Sequence, residues 1–85
     1  MDPYKIVKHP LSTEKSIRLM EAQNTLIFVV DIDADKKMVK QAVEEMFKVK
    51  VTGVRTFVQN GEKRAYVSFS PENPAIDIAT QMGLM

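Results

Sequence analysis

The chain has 85 residues, 45% of them apolar and 27% charged, with a net charge of only +1. That is enough apolar content for one small core, and too much for wholesale disorder. The absence of cysteine excludes a disulfide framework, a thiolate nucleophile and a cysteine-based zinc site.

Tyr4–Lys8, ahead of Pro10, reads as a short strand. Met1-Asp2-Pro3-Tyr4 has neither the basic start nor the apolar stretch of a signal peptide. Ser12 and Thr13 suit a helix N-cap and Glu14 suits the positive end of the helix dipole, so a helix is expected to about Ala22, with Ile17 and Met20 facing inward. Asn24 breaks it. Leu26–Val30 is apolar on both faces, the pattern of a strand covered on both sides. At five residues it is also the longest apolar run, far short of a membrane span.

Asp35 can cap a helix over Lys36–Phe47. Met38, Ala42 and Met46 form one row, and Val39, Val43 and Phe47 the adjacent one, giving an amphipathic helix with a broad apolar stripe. Beyond it, Val49, Val51, Val54, Thr56 and Val58 alternate with polar residues, and the phase shift at Gly53 points to a bulge. Asn60-Gly61 is a hairpin-turn dipeptide, and Arg64–Phe69 is the return strand. A last helix is expected at about Ala75–Met82, with Ile76, Ala79 and Met82 on one side and Gly83 closing it. The order (β)αβαββα gives a single α+β domain over residues 1–85. Its sheet is mainly antiparallel, with three to four strands and helices packed on it.

Charge is uneven along this order. Residues 1–35 carry a net −2, residues 36–64 a net +5, and residues 65–85 a net −2. A basic middle third attracts a polyanion even when the total is near zero; as a plain alternative, it is a solvated lysine face.

Catalytic and metal chemistry finds little support. His9 is the lone histidine, and no glycine-rich loop or nucleophile elbow is present. Asp31-x-Asp33-x-Asp35 opens like a calcium loop, but Lys36 stands where glycine is needed and Ala42 where a bidentate glutamate is needed. Arg55 or Arg64 with Asn60 could nominally serve an acyl-phosphate hydrolase, yet the turn already explains Asn60. The reading is a protein without cofactor or metal, and not an enzyme.

The run Lys8-His9-Pro10-Leu11-Ser12-Thr13-Glu14-Lys15 resembles the opening of the universal large-subunit ribosomal protein number twenty-three family. So does Gly61-Glu62-Lys63-Arg64-Ala65-Tyr66-Val67. Between them Asn24-Thr25-Leu26, Val30-Asp31, Lys36, Ala42-Val43-Glu44 and Phe47-x-Val49-x-Val51 follow the family's order and spacing. Ile76-Asp77-Ile78-Ala79-x-x-Met82-Gly83 resembles the archaeal-type ending. Two departures stand out: Val67-Ser68-Phe69 lacks the usual basic or Thr residue, and Gln59–Glu62 is little more than a turn where bacterial members extend a loop into the tunnel.

The resemblance implies a structural protein bound to large-subunit ribosomal RNA at the polypeptide exit tunnel, in the cytoplasm. It also implies contact with neighbouring ribosomal proteins and docking of the signal recognition particle and nascent-chain chaperones. Candidate RNA contacts are Lys8, His9, Lys15, Lys36, Lys37, Lys40, Arg55, Lys63 and Arg64. The docking positions that match the family are Ser12, Thr13 and Glu14. No membrane association is expected, and the free protein should be a monomer. Two rivals remain. One is a free-standing protein–protein interaction module of the same fold. The other is a general single-strand RNA binder, which needs paired aromatics on an exposed sheet face. Tyr66 is the only plausible stacker in the return strand, with Phe57 and Phe69 both read as possible core residues.

Overall fold

The computed structural model describes the backbone of residues 3–83 and the side chains of residues 5–83; the reading of Met1-Asp2 as part of no signal peptide lies outside the described residues. The chain order is α1 (Pro3–Ile6), β1 (Val7–Pro10), α2 (Glu14–Gln23), β2 (Thr25–Val30), α3 (Lys36–Phe47), β3 (Val51–Gln59), β4 (Glu62–Phe69) and α4 (Ala75–Gln81). The four strands form one antiparallel sheet in the order β1-β2-β4-β3. This is the expected α+β domain, with one added helical turn at α1.

Local chemistry sets most boundaries. At α2, Thr13 and Ser16 form a reciprocal capping box: the Thr13 N–H donates to Ser16 Oγ at 2.7 Å, and the Ser16 N–H donates to Thr13 Oγ1 at 3.2 Å. At α3, Asp35 Oδ1 accepts the Met38 N–H at 2.8 Å. Asp31 Oδ1 accepts the Asp33 N–H at 3.0 Å, so the acidic triplet serves a strand end and a helix cap. Asn60 and Gly61 both have positive φ, 53° and 77°, the conformation of a two-residue hairpin turn. The bulge expected at Gly53 is present: Val51 opposes Phe69 and Gly53 opposes Ser68, leaving Thr52 as the extra residue.

All six residues of β2 are buried, which matches a central strand covered on both sides. Leu26, Phe28 and Val30 join Val67, Phe69, Val39, Ala42, Val43, Ile78 and Ala79 in one core. Phe28 and Phe47 stack at 6.4 Å between centroids. Because β1 is short, it pairs only with the Phe28–Val30 half of β2. α2 lies beside the other half, with Met20 turned toward Leu26 and Ala79, and with Leu19 and Gln23 on the side of Thr25 and Tyr66.

Four expectations need correction. The first strand is not Tyr4–Lys8: it begins at Val7 and runs to Pro10, after a helical turn. Pro10 fits there because β1 is an edge strand, where a missing N–H costs no ladder bond. Ile17 points outward and is 39% exposed, and buried Ser16 takes the inward position beside Met20. On α4, Ile76 is also exposed; the buried residues are Ala75, Ile78 and Ala79, an i, i+3, i+4 stripe. Finally, Phe69 is core but Phe57 is not, being 54% exposed.

Asn24 does more than break a helix. It takes the left-handed conformation at the end of α2, with φ 52°. Its Nδ2 donates toward the carbonyls of Phe69 (3.1 Å), Ser70 (3.2 Å) and Asn73 (3.3 Å), while its Oδ1 accepts the Ala75 N–H at 2.6 Å. One side chain thus ties α2 to the end of β4 and the start of α4.

Candidate nucleic-acid interface

Strand pairing sorts the candidate basic residues. Arg55 opposes Tyr66 and Phe57 opposes Arg64, so these four share the sheet face away from Ala65, Val67 and Phe69. Val29 opposes Arg64 in the next pair and His9 opposes Val29 beyond it. A row therefore crosses the sheet as His9, Val29, Arg64 and Phe57. Arg55, Phe57 and His9 are exposed, and Arg64 and Tyr66 are half-buried. Lys15, from the first turns of α2, reaches the same face and places its Nζ 5.4 Å from the Tyr66 ring centroid, within range for a cation–π contact.

Lys63 belongs elsewhere. It opposes Val58 and Val30, on the face that carries the core. Lys63 and Arg64, adjacent in sequence, thus project to opposite sides of the hairpin. Arg64 Nε donates to Glu62 Oε1 at 3.0 Å, with both side chains about two-fifths exposed. That pairing offsets part of the arginine's charge and fixes its orientation, while its terminal amino groups keep further donors. Lys36, Lys37 and Lys40 are exposed on the first turns of α3, and Lys8 is exposed on β1 beside the irregularity between Val7 and His9. The nine residues do not form one continuous patch. Lys15, Arg55, Arg64 and His9 share the open sheet face, Lys36, Lys37 and Lys40 share a helix, and Lys63 lies at the hairpin end on the opposite face.

Ser12, Thr13 and Glu14 are all exposed at the start of α2. Thr13 is committed to the cap, whereas Glu14 has no ion-pair partner among the described residues. Beside them is a small apolar depression lined by Leu11, Ile17, Met20 and Leu26.

Phe57 is the residue that sequence reading missed. Its ring meets Tyr66 edge-on, with centroids 5.2 Å apart and planes at 75°. A signal for this existed. A two-residue turn at Asn60-Gly61 pairs Gln59 with Glu62, and counting back by opposite residues puts Phe57 across from Arg64, out of phase with the core.

This fold and this basic face define a class: small α+β proteins whose helices bury one side of a sheet and the central strand of the other, leaving cations on the open part beside it. A family model described as Ribosomal protein L23 matches residues 5–78, from α1 into α4, and the chain belongs to that family. Membership makes it a structural protein of the large ribosomal subunit rather than an enzyme. It also sets the chain among ribosomal RNA and other ribosomal proteins, in the cytoplasm. No helix of the described residues is long and apolar enough to cross a membrane.

Proposed function

We propose that the chain binds large-subunit ribosomal RNA near the polypeptide exit tunnel, as a member of archaeal type, and presents the start of α2 to factors that meet the nascent chain. The observation that carries the RNA reading is the gathering of Lys15, Arg55 and Arg64 on one open sheet face. An arginine can fork onto a phosphate or stack on a base, and lysine supplies a point charge. His9 adds to that face, and Lys8, Lys36, Lys37, Lys40 and Lys63 extend contact to other parts of the domain, so RNA would hold the protein from several directions. Contacts of this kind fix position more than they read sequence.

The docking reading rests on Ser12, Thr13 and Glu14. An exposed carboxylate beside the apolar Leu11–Ile17 depression suits an arriving factor with a basic rim and an apolar centre, the signal recognition particle or a chaperone. The short turn at Asn60-Gly61 gives the hairpin little reach into a tunnel, so its role is to grip RNA locally.

The test is binding to a large-subunit RNA fragment across a salt series. Lys63→Ala with Arg64→Ala should weaken binding and lower the salt slope by roughly 0.7–0.9 for each phosphate that is no longer neutralised. Unchanged affinity and slope would remove the hairpin from the RNA surface.

A further inference from the structure

The Phe57–Tyr66 corner has a geometry that charge alone does not explain. Phe57 is 54% exposed on β3, and an exposed aromatic of this kind costs hydration without adding to the core. Tyr66 stands perpendicular to it, and one Tyr66 surface is already taken by the Lys15 ammonium. The groove they line is completed by Val58, Gln59 and Arg64. Its ingredients are therefore one free aromatic ring, a second ring at right angles, an amide side chain and two cations, with Arg55 opposite Tyr66 on the same face.

An unpaired nucleotide matches all of these at once. Its base has a π-face for the Phe57 ring, its polar edge can meet the Gln59 amide, and its phosphate can meet Lys15 or Arg64. A peptide strand or an apolar helix would use the ring but leave the Lys15 ammonium, and the terminal amino groups of Arg64 that its Nε pairing with Glu62 does not occupy, facing no further anion. A duplex would use the cations but has no free base face, since its bases are stacked on one another. We infer that this corner takes a single unstacked nucleobase of a bound RNA, held on Phe57 and clamped at its phosphate by Lys15 and Arg64. The inference rests on the RNA-binding reading above and adds the state of the nucleotide that is bound.

The test compares two probes of equal charge on the full chain, a ten-nucleotide oligoadenylate and an abasic oligomer of the same length, by fluorescence anisotropy at fixed low salt. The oligoadenylate should bind roughly ten-fold tighter or more, the increment that stacking of one base supplies. Phe57→Ala and Phe57→Leu should both bring it down to the abasic level. The leucine variant keeps apolar bulk and removes only the ring, and thermal melting of each variant confirms an intact fold. Lys15→Ala with Arg64→Ala should weaken both probes alike. Equal binding of the two probes by the unmodified chain, binding of neither, or a base preference that survives Phe57→Leu would overturn the inference. The RNA-binding reading is judged separately by the large-subunit RNA fragment, so a failure of the inference is distinguishable from a failure of that reading.

Discussion

Along β4, Ala65, Val67 and Phe69 are sealed in the core, while Arg64, Tyr66 and Ser68, one residue out of phase, remain half-exposed. On β3 the same alternation leaves Arg55 and Phe57 beside Tyr66 and Arg64. The two faces use one backbone and one hydrogen-bond ladder. What differs is the layer above them: α3 and α4 cover one face with Val39, Val43, Ile78 and Ala79, and the other keeps its cations and rings at the surface. The lesson is that stability and recognition can be assigned to alternate residues of the same strand, so each can change without the other.

The sharpest break of that division uses the same residue type on both faces. Phe28 is fully buried and Phe57 is 54% exposed. In denaturant unfolding, Phe28→Ala should cost about 3–5 kcal/mol. Phe57→Ala should cost about 1 kcal/mol or less, since it removes little beyond an edge-on aromatic pairing. Similar costs at the two sites would show that the open face also carries the fold.

Next in size is Asn24, which belongs to neither face. Asn24→Ala removes the acceptor of the Ala75 N–H and a donor shared by three carbonyls, of which that of Ser70 keeps the Asn73 N–H, and puts alanine in a left-handed backbone that asparagine tolerates better. Together these should cost about 2–4 kcal/mol. Hydrogen exchange should show the loss of protection concentrated in α4 and the end of β4. A uniform loss across the sheet would contradict the role of Asn24 as a local joint.

The smallest effects separate capping from docking at the start of α2. Thr13→Ala should cost about 1 kcal/mol in thermal or denaturant unfolding by breaking the capping box. Glu14→Lys should cost roughly 0.3–1 kcal/mol through the helix dipole, yet leave ribosome incorporation intact while reducing factor recruitment in a co-sedimentation assay. Loss of incorporation with Glu14→Lys would assign that residue to RNA contact or folding.

Much of this architecture was legible in the sequence, because local chemistry specified it. Asp35 and Thr13 mark helix starts, Asn60-Gly61 fixes a turn, and the Val39/Val43 stripe has a helical period. Residues whose placement depends on tertiary packing were harder. Ile17 and Ile76 read as inward because they are apolar, but the helix phase set by tertiary packing gives the buried positions to Ser16 and Ala75, one residue earlier. Pro10 extends a strand only because β1 is at the sheet edge. Asn24's partners lie 45–51 residues away, beyond any local pattern. At the candidate interface, charge singled out the basic residues, but only strand register separated Lys63 from Arg64 and brought Phe57 beside Tyr66.

Those long separations at Asn24 also bear on the order in which the protein can be finished. Three of its bonds reach Phe69, Ser70 and Asn73, and the fourth reaches Ala75. A chain made from its N-terminus exposes Asn24 long before any of these partners exists, and closing a loop of this size carries an entropy cost that the joint itself must offset. The end of α2 must therefore wait, with one polar terminus unfinished, until α4 has been synthesised. Completion of the fold is coupled to the arrival of that helix through this amide as well as through the packing of Ala75, Ile78 and Ala79 into the core.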